Sequence, residues 1–171
     1  MPCPVRSLVV LAFVALSLFL VEAPSAGATS AASSQVWAAR GTSSPAEKLV
    51  RLFPRASFVP GPAGTNSPLS CGTEAFGYRH ISNRHGSDWQ NIAVYTGENW
   101  RDLADFAIEQ ILTAPQPGYP RYNDKNDTWA FTAPLEIRDG DGRVRDVYHP
   151  VVVVAGSDGK VITAYPTRDP A

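Results

Sequence analysis

The chain has 171 residues, with 15 Lys or Arg against 16 Asp or Glu and a net charge of −1. That balance argues against a protein that coats nucleic acid nonspecifically, and the length suits one domain rather than two. Two cysteines, one of them at position 3, exclude the disulfide framework common in small exported domains.

Residues 1–28 read as a secretory signal peptide. Arg6 supplies the positive start, residues 7–21 are almost wholly apolar, and Ala26-Gly27-Ala28 supplies small residues of the A-x-A type, with cleavage expected near Ala28. The apolar run is short for a membrane span of about 20 residues, so no retained anchor is expected and the product is read as secreted. Cys3 then leaves with the leader, and Cys71 remains as a single thiol, either reactive or, by the blander reading, buried.

Residues 29–70 read as a leader, first Ala/Ser-rich and then marked by Pro54, Pro60, Gly61, Pro62, Gly64 and Pro68. Within it, Leu49, Val50, Leu52 and Phe53 predict a short amphipathic helix ending before Pro54. The leader is locally basic, with Arg40, Lys48, Arg51 and Arg55 against Glu47, so the remainder is acidic on balance. The folded domain is placed at residues 71–168.

The domain opens on Gly-Tyr-Arg-His-Ile-Ser-Asn-Arg-His-Gly at residues 77–86, read as a short helix ended by its two glycines. A second helix follows, with Asn99 as N-cap, Asp102 in the first turn, an apolar face of Leu103, Phe106, Ala107, Ile111 and Leu112, and Pro115 as its stop. Strands come next. Residues 128–138 are interrupted by Pro134, residues 139–142 form an Asp-Gly-Asp-Gly turn, residues 144–155 contain the run of four valines, and residues 161–165 precede Pro166. Helices followed by an antiparallel meander give an α+β fold, with the N-terminal helices packed on a C-terminal antiparallel sheet.

His80 and His85 are the candidate proton-transfer groups, because imidazole titrates near neutrality. Arg84, and with it Arg79, is the candidate phosphate-binding cation. Thr163 and Tyr165 are two apart on a strand and share a face. His149 could supply a second proton group, and Trp129 a stacking wall for a base. Each has a bland alternative: surface-helix polar residues, a salt-bridged arginine, ordinary strand or core residues. The spacing of His80 and His85 misses the i,i+4 helical pair, and no second ligand set accompanies it, so no metal site and no cofactor is expected.

Taken in order, the Arg-His-Ile and Arg-His-Gly segments at residues 79–86, the helix, and the closing Val-Ile-Thr-Ala-Tyr-Pro at residues 161–166 resemble the barnase/EndoU/colicin/RelE-like (BECR) group, in particular the ribonuclease domains of exported bacterial toxins. The resemblance spans about residues 77–166. It implies metal-independent cleavage of RNA by transesterification, with His80, His85, Arg84, Thr163 and Tyr165 as catalytic residues; Arg79, His149 and Trp129, from the reading of the residues themselves, are added as substrate-binding ones. It further implies an immunity or inhibitor protein as partner and a chain that acts as a monomer. The rival expectation is a secreted binding module, with no enzymatic activity, on a degenerate form of the same fold.

Overall fold

The computed structural model describes residue 37 and residues 43–169. The expected signal peptide and its cleavage site lie outside the described residues. Among the described residues, no helix is long and apolar enough to cross a membrane.

The architecture is α+β: two helices in mid-chain and antiparallel sheets on either side of them in sequence. Strands β1 (Leu49–Pro54) and β2 (Asn66–Ser70) pair antiparallel. Helices α1 (Gly77–Ala93) and α2 (Trp100–Thr113) follow. A four-stranded sheet then takes the order β3 (Arg121–Asn123), β4 (Thr128–Thr132), β7 (Val151–Ala155), β8 (Val161–Tyr165). Between β4 and β7 the chain leaves the sheet to form a separate hairpin, β5 (Leu135–Arg138) with β6 (Val144–Tyr148). The departures occur at Pro134 and at His149-Pro150, where proline removes a ladder donor.

The first strand pair corrects the reading of residues 49–70 as part of a leader; residues 29–42, except Trp37, lie outside the described residues. Residues 49–53 are strand, not helix, and Phe53 and Leu69 are fully buried. The Pro/Gly-rich stretch is the connection of this hairpin. It makes few hydrogen bonds of its own, and the buried Arg55 holds it instead. The Arg55 guanidinium donates to the carbonyls of Pro62, Ala63 and Gly64 and to Ser67 Oγ. Trp37 also enters the core, at 2% exposure. Its Nε1 donates to Asp105 Oδ1 at 2.8 Å, and its ring meets Tyr78 and Trp100 edge-on. Burial raises the Asp105 carboxyl above the ordinary range, opposed by the charge of Arg51 beside it.

The helices differ from expectation in extent. Asn99 caps α2 as expected, its side chain accepting from the backbone N–H groups of Arg101 and Asp102. Phe106 falls off the buried face and is exposed, bordering a groove with Leu135 and Ile137. Helix α1 runs past Gly86 to Ala93, because Trp89, Ile92 and Ala93 continue its apolar stripe; Gly86 is buried against the Trp100 ring. In the sheet, Val152 and Val154 of β7 face the core with Trp129, Phe131 and Ala164.

A Leu69→Ala variant is expected to lose about 2–5 kcal/mol, the range for truncating a buried leucine, read as a lower urea midpoint. An unchanged midpoint would return residues 49–70 to the role of a linker.

Candidate active site

Helix α1 carries the site because its buried stripe passes through a histidine. Tyr78, Ile81, Trp89 and Ile92 are buried, and His85 falls between Ile81 and Trp89 at helical spacing. Its side chain keeps 24% exposure. The stripe lies along β8, the edge strand of the four-stranded sheet. There the buried Trp89 Nε1 donates to the Ala164 carbonyl at 3.1 Å, satisfying an acceptor that an edge strand would otherwise leave open.

One residue further along β8, Tyr165 points to the opposite face from Ala164. Its ring meets His85 at a centroid distance of 5.3 Å. On the other side of His85 stands His80, ring to ring at 5.6 Å in an edge arrangement. Three rings from two elements thus touch in series. Thr163 shares the Tyr165 face by strand alternation, and its Oγ1 is buried without a partner.

The pairing of β7 with β8 continues past Val151 and Tyr165, where the His149 backbone N–H donates to the Thr167 carbonyl at 2.6 Å. This puts His149 near the end of the strand that carries Tyr165, with its Nδ1 buried and unpartnered. Arg84 is exposed beside His85 and, among the described residues, forms no ion pair. Four of the expected catalytic side chains thus lie on α1 and the end of β8 as neighbours in chain or ring contact, with Thr163 on the same face.

Two expected substrate-binding residues have other uses. Arg79 turns its guanidinium to the carbonyls of Gly72 and Ser44, fastening the entry of α1 to the preceding chain. Trp129 is a core residue at 8% exposure, on the Ala164 face and against the Tyr122 ring. Cys71 is fully buried.

Burial, first, and then the charge of His80 hold the His85 imidazole below its ordinary range; Asp88 opposes this and Arg84 adds to it. Asp88 Oδ2 lies 3.6 Å from His85 Nδ1, an ion pair only when the ring is protonated. His85 is therefore neutral at neutral pH and able to accept a proton.

Residues the sequence reading passed over support these rings. His80 Nδ1 lies 2.7 Å from the Glu74 carbonyl, and Asn83 Nδ2 donates to the Glu74 carboxylate at 2.6 Å. The available signal was spacing: Asn83 follows His80 by three residues and Trp89 follows His85 by four, the distances at which helical side chains are neighbours. A separate groove of about 560 Å³, bordered by Tyr95, Arg145, Asp146 and Arg168, shares no residue with the histidine cluster. Its arginines are paired with Asp139 and Asp146.

The chain matches no family model and no solved structure. It is similar to two uncharacterized proteins of Mycobacterium tuberculosis, from strains CDC 1551 and H37Rv. Each is 39% identical over 140 residues, which cover 77% of this chain and 50% of the relative. The chain thus spans about half the length of the curated relatives it matches.

Because the folded protein binds the His85 proton less readily than the unfolded chain, the stability tied to this group is complete above the unfolded value of 6.5 and is lost as pH falls through the lower folded value. The urea midpoint is expected to drop between about pH 7.5 and about pH 5, and to drop less in a His85→Phe variant, whose ring keeps the contact with Tyr165. Parallel pH dependences in the two proteins would contradict this.

Proposed function

We propose that this chain is a secreted, toxin-like ribonuclease that cleaves RNA by metal-independent transesterification. The observation that supports the reading best is the convergence of His80, His85 and Tyr165 in consecutive ring contact, from a helix and a strand far apart in sequence. A residue pair with no meaning in spacing alone becomes, with Tyr165, a cluster of proton-carrying groups beside an exposed arginine.

In this reading one histidine takes the proton from the RNA 2′-hydroxyl and the other gives a proton to the departing 5′-oxygen, leaving a 2′,3′-cyclic phosphate. Arg84 holds the scissile phosphate, its fork free of other ion pairs among the described residues. Tyr165 supplies its hydroxyl to the phosphate oxygens or the base, and Thr163 backs it from the same strand face. His149 stands at the strand end as a further polar group toward the substrate.

We take α1 lying against β8, with α2 beside it, as the helix-on-meander arrangement of the BECR toxin domains, extended by the β1–β2 hairpin and the β5–β6 excursion. The same reading carries export with loss of residues 1–28, action as a monomer, and an inhibitor protein in the producing cell.

Purified protein is expected to degrade RNA in the presence of EDTA and to leave 2′,3′-cyclic ends. His80→Ala and His85→Ala are each expected to slow cleavage by about 10²–10⁴, with Arg84→Ala raising KM. RNA that stays intact on prolonged incubation with the folded wild-type protein would sink the proposal and leave the binding-module alternative.

A further inference from the structure

We propose that the turn at residues 73–76 is a clamp that fixes the proton on His80 Nδ1, so that His80 works through Nε2 as the acid of the pair and His85 as its base. The proposal deepens the ribonuclease reading and rests on it for the catalytic roles, but the clamp itself stands on geometry.

A carbonyl oxygen can only accept a hydrogen bond. At 2.7 Å from the Glu74 carbonyl, His80 Nδ1 must therefore carry hydrogen, in the neutral and in the protonated ring alike. Which nitrogen of an imidazole reacts is set by the bond the other one makes. The mobile proton of His80 is then always the one on Nε2.

The turn that offers this carbonyl is itself held from several sides. Asn83, one helical turn beyond His80, donates to the Glu74 carboxylate. The same helix thus grips Glu74 at its carbonyl and at its side chain. Within the turn, the Ala75 N–H donates to Thr73 Oγ1 at 3.1 Å, and the Thr73 N–H to the Phe76 carbonyl at 2.9 Å. Just before it, Gly72 has φ +68°, and a Cβ there would lie 1.9 Å from the Phe76 carbonyl oxygen. Only glycine lets the chain fold back this tightly. Gly77, at φ +77°, closes the turn into the helix under a similar constraint from the Ser70 carbonyl.

The assignment completes the proton path. His85 removes the 2′-hydroxyl proton as O2′ forms its bond to phosphorus. The P–O5′ bond breaks, its electron pair leaves on O5′, and O5′ takes the Nε2 proton of His80. His80 ends neutral in the tautomer the clamp already holds, with no rearrangement. His85 ends protonated, and exchange with water resets both rings. The partly buried position of His85, against Tyr165, suits the member that starts without charge.

The test combines ¹⁵N NMR of the imidazoles with kinetics on RNA, using the whole protein. In the wild type at mildly alkaline pH, His80 is expected to show hydrogen on Nδ1 and a bare Nε2. In Asn83→Ala that pattern is expected to give way to a mixture of tautomers, with kcat about tenfold lower, a part of what one positioned proton group supplies, and KM unchanged. Glu74→Gln retains both acceptor oxygens and is expected to keep the wild-type spectrum and rate. A free-imidazole pattern for His80 in an active wild type would overturn the clamp alone. Loss of the pattern in Glu74→Gln as well would show that charge, not positioning, is at work, and would also overturn it. The fixed tautomer in a wild type that cleaves no RNA would overturn the acid and base roles together with the ribonuclease reading, and support the clamp as a structural feature.

Discussion

The candidate site depends on one hydrogen bond, from the Trp89 indole to the Ala164 carbonyl. An indole N–H has only the donor role, and a buried one without an acceptor is costly. The last strand of the sheet has the complementary need, because its outer edge offers carbonyls that no further strand takes up. Joining the two sets the helix against the strand at a defined register. Trp89 faces Ala164, and strand alternation turns Tyr165 to the other side, where His85, one helical turn back, meets it. The contact between histidine and tyrosine is thus a consequence of how the edge is closed.

The rest of the core keeps that arrangement rigid. Tyr78 stacks on Trp100 at 6.1 Å, and Trp37 closes edge-on against both. Trp37 is fixed through Asp105, whose carboxylate also takes Arg51 at 3.2 Å while Arg51 reaches Glu109. A carboxylate at 8% exposure is tolerable because two donors meet it. Through this cluster the segment before α1, the β1 strand and α2 are held together, and the first turns of α1 gain a fixed base.

What was legible in the sequence was whatever has a local period or a local chemical signature. The Asn99 cap, the Asp-Gly turn and the closing strand each need only a few neighbouring residues to be recognised. The β1–β2 hairpin does not. Its strands are short, one contains Pro68, and its connection resembles a linker because what stabilises it is a single arginine at its start, Arg55, whose bonds to the backbone carbonyls further along have no local pattern in the sequence. Trp37 was hidden for the same reason, since its partner Asp105 lies 68 residues further on. The residue types of the site were legible, but their grouping was not. His80 and His85 become neighbours only through helix geometry, and Tyr165 joins them only through the edge contact of β8. Residue type alone does not say whether a cation or a ring faces outward: backbone carbonyls take the Arg79 guanidinium, and the Trp129 ring lies in the core.

A chain of nearly balanced charge raises a question for any polyanion-cleaving role. Long-range attraction to a phosphate backbone scales with the charge presented, and this protein presents little. Several of its exposed arginines are already matched: Arg138 with Glu136, Arg145 with Asp139, Arg168 with Asp146. Arg84 departs from that pattern and does so beside His85. A fixed cation there acts in two ways. It helps hold the His85 imidazole below its ordinary range, and in the proposed reaction it would offer a fork to a phosphate oxygen beside an unprotonated base. The electrostatics that matter are therefore confined to about one helical turn, so binding by this site would owe more to local geometry than to the net charge of the domain.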